Sequence, residues 1–285
     1  MKKFLTTLLF ISHLSGTDYI DYLHPFHPTT SSSGMVVSQN ALSSDIGVQI
    51  LDMGGNAVDA AVAVGFSLAT TLPRAGNLGG GGFMLVYLKD KNEIFYIDYR
   101  SKSPRNASIE KLLGTKKIPD RNSKLWERVD YTYLASGVPG TVYGLLEAHK
   151  NFGVLSLEKI MKPVIEQAEN GIVVSSDLNY VIDVTPQLRS DAESFSIFFD
   201  NGEPLKESSI MKRPDLANTF KEISKNGAKG FYEGAVADKI VEAMKKNGGL
   251  ITNEDLKDYK SFFRIPIALN SVSYTHLRAH ETSID

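Results

Sequence analysis

The segment "NAVDAAVAVGFSLATTLP", residues 56–73, constrains the fold more than any other part of the sequence. It is apolar almost all around a helix, and Asp59 is its only charged residue. A helix of this kind is buried on every side, so the rest of the chain must supply layers that cover it. Asn56 is placed to cap its N-terminus, and a carboxylate at Asp59 would meet free backbone N–H groups. We therefore expect a structural role for Asp59.

Glycines follow this helix, at positions 76 and 79–82, and the apolar run "FMLVYL" follows the glycines. Phosphate-binding loops run in the opposite order, from a strand through glycines into a helix, and carry a Lys-Ser/Thr pair. Here the next lysine is Lys89, which excludes a phosphate-binding loop. We expect the glycines to let the buried helix pack tightly against a sheet and turn into its first strand. The polar turn "KDKNE" and the run "IFYIDYR" complete a predicted hairpin.

Helices dominate the remaining pattern. We predict a short strand at "MVVS" and then a helix with Leu42, Ile46, Ile50 and Met53 on one buried face. Beyond the hairpin the sequence is mostly typical of helices, one of which Pro163 is expected to break in two. Strands near the start followed by many helices favour a layered α+β domain.

Capping signals place the starts of three later helices. Ser156 is a predicted N-cap, Pro214 suits a first helical turn, and Thr252 with Asp255 three residues later forms a cap signature. We find no internal repeat.

Composition excludes several classes of function. The 285 residues carry a formal net charge of −2, and 42% of them are hydrophobic. Such a chain can bury a sizeable core, and nothing in its charge suggests a nucleic-acid partner. It contains no cysteine, which excludes disulfides, thiolate catalysis and cysteine-based zinc sites.

The N-terminus predicts a targeting segment. Residues 1–16, "MKKFLTTLLFISHLSG", place two lysines before a short apolar stretch, which favours a secretory signal peptide over a stable membrane span. The alternative is an N-terminal helix docked on the core. Residues 17–34 are rich in Pro, Ser and Thr and predict a linker or pro-region, so the ordered domain is expected from residue 35. A signal peptide would imply a periplasmic or secreted protein.

Arg100 is the first candidate functional residue. In "IFYIDYR", alternation along the strand would place Asp98 and Arg100 on one face at its end. A guanidinium there could bind a carboxylate in a bidentate, planar way, as an amino-acid-like ligand requires. The simpler alternative is an ion pair with Asp98 or another acid, which on the residues alone is the more common situation.

The histidines suggest no metal centre. His276 and His280 have the i, i+4 spacing of helical metal ligands, but they lack the H-E-x-x-H glutamate and a third ligand. His149 is expected on a solvated helix surface. No G-x-S-x-G serine elbow occurs. The residues alone therefore show no complete catalytic constellation, and we do not expect a metal site.

Several stretches taken together resemble the γ-glutamyltransferase family, also called glutathione hydrolases. They follow one another in order between residues 35 and 267: "GGNAVDAAVAVGFSLATTLPRAGNLGGGGFMLVYL", "IDYRSKSP", "ASGVPGTVYGLLEAHKNFG", "AENGIVVS", "GAKGFYEG" and "NGGLITNEDLKDY". The resemblance assigns residues 35–267 to the N-terminal part of that family's large subunit.

The resemblance implies a fold and a chemistry. The fold is that of N-terminal nucleophile hydrolases, an αββα sandwich, here expected to be truncated with incomplete sheets. The family is made as a precursor that cuts itself, and the threonine that begins the small subunit is the nucleophile. The γ-glutamyl group of glutathione passes to that threonine and then to water or an amino-acid acceptor. An arginine in the motif that here reads Asp98-Tyr99-Arg100 holds the glutamyl α-carboxylate, so the resemblance favours Arg100 as the substrate-binding residue.

The end of the sequence departs from the family pattern. After "RIPI" the chain soon stops, whereas the family continues through the large subunit to a Thr-Thr-His-type cleavage site and the small subunit. Thr275 and His276 resemble that site only superficially. We therefore expect no catalytic residue in this chain, an inactive fragment that lacks its small-subunit partner, and an unrelated tail over residues 268–285. Two alternatives stay open: a cephalosporin-type acylase of the same superfamily, and a non-catalytic module that binds γ-glutamyl compounds.

Overall fold

The structure, a computed structural model, describes residues 30–271 and 274–278, with side chains up to residue 268. The chain divides between Met35 and Val36, and every described helix and strand belongs to the unit that begins at Val36. The predicted signal peptide lies outside the described residues. In the described part, no helix is long and apolar enough to cross a membrane.

The described unit mixes helices with short strands. The α-helices are α1 (Ala41–Asp52), α2 (Ala57–Thr71), α3 (Ile109–Leu113), α4 (Thr141–Phe152), α5 (Leu157–Asn170), α6 (Ser176–Asp183), α7 (Ala192–Phe198), α8 (Pro214–Asn226), α9 (Lys229–Tyr232), α10 (Gly234–Lys246) and α11 (Asn253–Lys257). The strands are β1 (Phe83–Leu88), β2 (Glu93–Asp98), β3 (Ile172–Val173), β4 (Phe199–Asp200), β5 (Glu203–Pro204), β6 (Ile210–Met211), β7 (Phe262–Arg264), β8 (Ile267–Ser271) and β9 (Tyr274–Arg278). Short 3-10 turns lie at Lys124–Arg128, Tyr133–Ala135 and Pro186–Arg189.

The main sheet joins the predicted hairpin to a strand from the far end of the chain. β1 and β2 pair antiparallel with Phe83 opposite Asp98, as the sequence predicts. β7 then adds to the other side of β2, with Asp98 opposite Phe262 and Tyr96 opposite Arg264. The resulting order is β1-β2-β7. One face of this sheet contributes Val86 and Ile97 to the core.

Helix α2 is the centre of the core. It packs against α1, α4 and α5, and its buried side chains include Val62, Phe66 and Asp59. Asn56 caps its N-terminus in a capping box with Asp59, since each side chain accepts the other residue's backbone N–H. The predicted buried helix and its cap are both confirmed. A smaller core, around Ile172, Leu178 and Phe199, lies under α6 and α7.

Four local predictions are wrong. The segment "MVVS" forms no strand. The side chains of Leu42 on α1 and of Met53, the residue that follows α1, are exposed. Pro163 lies inside a continuous α5, because its neighbours Ile160, Met161 and Val164 are fully buried and hold the helix in place. Between β2 and α4 the chain has only one short α-helix and short 3-10 turns, so this stretch is less helical than expected.

The helix starts predicted from capping residues are confirmed. The hydroxyl of Ser156 caps α5, Pro214 lies in the first turn of α8, and Thr252 forms a capping box with Asp255 at α11. The tail is described only as the antiparallel pair β8–β9.

Candidate functional site around Arg100

Arg100 lies two residues beyond the end of β2, and its side chain is exposed. The prediction that Arg100 shares a strand face with Asp98 is therefore wrong, because the strand ends at Asp98. The Cζ atom of Arg100 lies 6.0 Å from the centroid of the Phe83 ring. Within residues 30–268, no carboxylate forms an ion pair with this guanidinium. The group is thus free, in that part of the chain, to bind an external anion.

Asp98 is buried and is bound in two directions. Its Oδ2 accepts a hydrogen bond from Arg264 Nε at 2.7 Å, and its Oδ1 accepts one from the backbone N–H of Arg100 at 3.1 Å. The suspected ion pair between Asp98 and the side chain of Arg100 does not form. Instead Arg264, which the sequence did not single out, neutralises Asp98 and leaves the Arg100 guanidinium unpaired with it.

Tyr259 contacts the backbone carbonyl of Arg100. Its hydroxyl donates a hydrogen bond to the carbonyl oxygen of Arg100 at 2.8 Å. Its ring is buried and stacks on Tyr232, with centroids 5.7 Å apart and planes 8° from parallel. Burial is the main cause that raises the pKa of Tyr259 above its usual value, so the hydroxyl keeps its proton at neutral pH. Sequence reasoning missed this residue, although it closes the motif "NGGLITNEDLKDY".

The glycine loop packs against the segment that carries Arg100. Gly82 and Tyr99 exchange two backbone hydrogen bonds, of 3.3 and 3.0 Å. A Cβ atom on Gly81 would lie 2.8 Å from the backbone carbon of Arg100, so only glycine allows the two chains to approach so closely. The carbonyl of Gly80 accepts hydrogen bonds from the backbone N–H groups of Gly140 and Thr141 at the start of α4. The glycines therefore join the loop, the strand end and a helix N-terminus.

Tyr99 and Lys102 flank Arg100 on the two sides. The Tyr99 ring packs over Gly82 and Gly144, and burial raises the pKa of its phenol to about 12. The Nζ atom of Lys102 donates a hydrogen bond to the Lys260 carbonyl at 2.7 Å. It also lies 4.7 Å from the ring centroid of Tyr259. Burial lowers the pKa of Lys102, while the nearby Asp98 carboxylate opposes that shift.

One cavity has Ser103, three residues after Arg100, in its lining. It has a volume of about 260 Å³, and its lining includes Pro104, Leu113, Trp126 and Leu134. A second cavity, of about 370 Å³, lies between α2 and β1, where Ala61 and Tyr87 contribute to its walls. Arg100 lines neither of them. The Arg100 guanidinium is therefore at an open surface of the described unit.

Asp59 and His149 form a separate polar contact inside the core. Asp59 is fully buried, and its carboxylate accepts backbone N–H bonds from Asn56, Val154 and Leu155. His149 lies mostly buried, with Nε2 2.8 Å from the Leu155 carbonyl and 3.8 Å from Asp59. The expected solvated position of His149 is wrong, since α4 turns this face toward α2. The structural role expected for Asp59 agrees with its contacts.

No metal centre is visible in the described region. Among residues 30–268, no three His, Asp or Glu side chains are grouped so that they could hold an ion. The side chains of Thr275, His276 and His280 lie outside the described residues.

The fold and these motifs define the class of protein. The γ-glutamyltranspeptidase family model matches residues 43–283, which include the glycine loop, Arg100 and Tyr259. The chain belongs to the γ-glutamyltranspeptidase family.

The curated relatives include glutathione hydrolase proenzymes and a capsule biosynthesis proenzyme. The chain is 42% identical over 248 residues to a glutathione hydrolase proenzyme of Escherichia coli, and the match covers 85% of this chain and 41% of that protein. It is 36% identical over 240 residues to the capsule biosynthesis protein CapD proenzyme of Bacillus anthracis, over 84% of this chain and 40% of the relative. The chain thus spans about two fifths of the length of the curated relatives it matches.

Solved structures confirm the similarity of the fold. The γ-glutamyltranspeptidase of Helicobacter pylori superposes with a TM-score of 0.82 at 36% identity, covering 90% of this chain and 72% of that chain. A cephalosporin acylase of Bacillus halodurans gives a TM-score of 0.75 at 24% identity, over 90% of this chain and 48% of that chain. At that identity the acylase shows a shared fold and nothing more.

Proposed function

We propose that residues 35–267 are the N-terminal part of the large subunit of a γ-glutamyltransferase. The complete enzyme would cleave the γ-glutamyl amide of glutathione and related compounds, and transfer the glutamyl group through a threonine to water or an amino-acid or peptide acceptor. The family match and the names of the relatives support this proposal. The enzyme would work without a metal or an organic cofactor.

Arg100 would bind the α-carboxylate of the γ-glutamyl donor. The observation that carries this role is the state of its guanidinium, which is exposed and has no ion-pair partner within residues 30–268. The adjacent Asp98 carboxylate is paired with Arg264 and does not bind this guanidinium. A planar guanidinium can form two parallel charge-assisted hydrogen bonds to a carboxylate.

The nucleophile would lie in a part of the protein beyond these residues. This chain covers 41% of the E. coli proenzyme but 72% of the solved H. pylori chain. Such a difference is expected if the solved chains are subunits of cleaved precursors. We propose that the 285-residue chain alone is inactive and that its partner is the family's small subunit. The family model runs on to residue 283, which speaks against an unrelated tail over residues 268–285.

The complete fold would be an αββα sandwich, of which this chain supplies one helical layer and part of a sheet. In the described part β1 is an edge strand. The face of the sheet away from the helices exposes Leu85, Tyr87 and Phe262, as expected if further strands and a second sheet cover it. We also propose that residues 1–16 direct export, which would make the protein periplasmic or secreted.

A chimera tests the function directly. Residues 36–267 replace the matching part of the E. coli glutathione hydrolase proenzyme, and release of p-nitroaniline from γ-glutamyl-p-nitroanilide is measured. We expect the chimera to be active, because the described core would be retained. The 285-residue chain by itself should release none, and detectable release by that chain would refute the missing nucleophile.

Arg100→Ala in the chimera tests the binding role. Loss of two charge-assisted hydrogen bonds should lower kcat/KM by about 100-fold. The 4-aminobutyryl anilide, which is the same donor without its α-carboxylate, should be hydrolysed equally by both proteins. Arg121→Ala, at another exposed arginine, is the matched control and should change neither rate. If Arg100→Ala lowered kcat/KM equally for the two donors, Arg100 would be excluded as the carboxylate-binding residue. If the protein were instead a cephalosporin acylase, the chimera would show no preference for the γ-glutamyl donor.

A further inference from the structure

We propose that Tyr259 is a positioning residue for Arg100. Its hydroxyl would hold the backbone of Arg100 so that the guanidinium stays where a donor carboxylate can bind it. This inference rests on the proposed function, because it assumes that Arg100 meets a carboxylate. Tyr259 is 159 residues away in sequence, so the contact is a product of the fold.

Hydrogen bonds hold both backbone groups of Arg100, whereas its guanidinium has no ion-pair partner within residues 30–268. The N–H donates to Asp98 Oδ1 at 3.1 Å, and the carbonyl accepts from the Tyr259 hydroxyl at 2.8 Å. Within residues 30–268 that hydroxyl is the only hydrogen-bond donor to the carbonyl. Arg100 lies beyond the end of β2, so sheet hydrogen bonds do not define its backbone. Tyr259 therefore replaces the strand as the constraint on this peptide group.

The Tyr259 hydroxyl is itself held in one place. The ring is 2% exposed and lies between aromatic neighbours, stacked on Tyr232 and edge-to-face with Tyr143. The Lys102 ammonium lies over the same ring, 4.7 Å from its centroid. Packed rings of this kind have little rotational freedom, so the hydrogen bond restrains the Arg100 peptide rather than following its motion.

The Tyr259 side chain passes Gly140 so closely that a larger residue there would block it. A Cβ atom on Gly140 would lie 2.8 Å from Cζ of Tyr259. Glycine at the start of α4 thus leaves the space through which Tyr259 reaches Arg100. The neighbouring Tyr232 points elsewhere, since its hydroxyl donates to the Pro139 carbonyl at 2.9 Å and accepts the N–H of Tyr143 at 3.1 Å. Tyr232 is therefore a matched control with the same chemistry and similar burial.

Hydrogen exchange of the 285-residue chain tests the contact without any assumption about activity. Tyr259→Phe removes only the hydroxyl. The amides of residues 100–102 should exchange about tenfold faster, as expected when one hydrogen bond is lost. In Tyr232→Phe the increase should appear at residue 143 instead. Equal exchange at 100–102 in the two variants would overturn the inference.

The two anilide donors test the consequence in the chimera. If Tyr259 acts through Arg100, Tyr259→Phe should raise KM for the γ-glutamyl donor about tenfold and leave the 4-aminobutyryl donor unchanged. Tyr232→Phe should not discriminate between the donors. In the Arg100→Ala background, Tyr259→Phe should have no further effect on the γ-glutamyl donor.

The outcomes separate this inference from the proposed function. If Arg100→Ala does not discriminate between the donors, the proposed role of Arg100 fails and this inference fails with it. If Arg100→Ala discriminates but Tyr259→Phe slows both donors alike, Tyr259 has only a structural role and the inference fails alone. Selective loss in both variants, absent in Tyr232→Phe, supports it.

Discussion

Asp59→Ala should weaken the core strongly. The Asp59 carboxylate is fully buried at the start of α2 and joins that helix to the loop between α4 and α5. It accepts the N–H of Asn56 at 3.0 Å, of Val154 at 3.1 Å and of Leu155 at 3.3 Å. Alanine would leave all three donors without this acceptor.

The expected loss follows from those three bonds. A donor that loses its partner away from water costs about 1–3 kcal/mol, and the Asn56 side chain still caps α2 in this variant. Partial relaxation of the loop at 153–155 reduces the sum, so we expect a decrease of about 3–5 kcal/mol in the free energy of unfolding. Since such domains are stable by about 5–15 kcal/mol, the variant should remain folded but melt much earlier.

Urea denaturation followed by circular dichroism measures this change. Asp59→Asn keeps one acceptor oxygen and should lose less than Asp59→Ala. Asp45→Ala, at an exposed acid on α1, is the control and should change stability by less than about 0.5 kcal/mol. If Asp59→Ala were no less stable than Asp45→Ala, the three hydrogen bonds would not stabilise the fold and the reasoning would be refuted.

The glycine loop, Tyr99 and the edge of the sheet give three more testable outcomes. Gly81→Ala should lower stability by about 1–3 kcal/mol, measured by urea denaturation, because its Cβ would collide with the backbone of Arg100; an unchanged midpoint would contradict this close contact. Burial raises the pKa of Tyr99 to about 12. The neutral phenol therefore stabilises the fold fully below about pH 10, and this stabilisation is lost as the pH rises toward 12. Thermal melts of Tyr99→Phe should lose less stability between these pH values than melts of the unchanged chain. The 285-residue chain should self-associate through the bare sheet face, and Tyr87→Lys, at a side chain 56% exposed on edge strand β1, should shift sedimentation velocity profiles toward monomer; an unaltered profile would place the association elsewhere.

Sequence patterns predicted where helices and strands lie better than they predicted which side of a helix is buried. The buried α2 and its cap follow from local chemistry, so they were predictable. On α1 the apolar period pointed to Leu42 and Met53, but the structure buries Ser43 and Gly47 instead. The reason is the close approach of α2: the Ser43 hydroxyl lies 2.7 Å from that of Ser67. Small polar residues at a tight helix contact carry no hydrophobic signal, so periodicity cannot find them.

In the candidate site, too, the sequence predicted the residue in a local motif but not its partners from distant parts of the chain. Arg100 was identified because the motif around it is contiguous in sequence. Its two supports, Arg264 and Tyr259, come from the other end of the described chain. Nothing local marks either residue as a neighbour of Arg100, since β7 and the loop before it reach the sheet only through tertiary packing. Contacts at this sequence separation are fixed by topology, which residue patterns alone do not determine.

This topology makes the geometry of Arg100 depend on the last strand of the sheet. β7 carries Arg264, which neutralises Asp98, and Tyr259 precedes β7 by a few residues. Arg264 is the side chain that forms an ion pair with Asp98 in the described part of the chain. The strand that completes the described sheet therefore also supplies the partner of Asp98, and the Arg100 guanidinium forms no ion pair with that carboxylate.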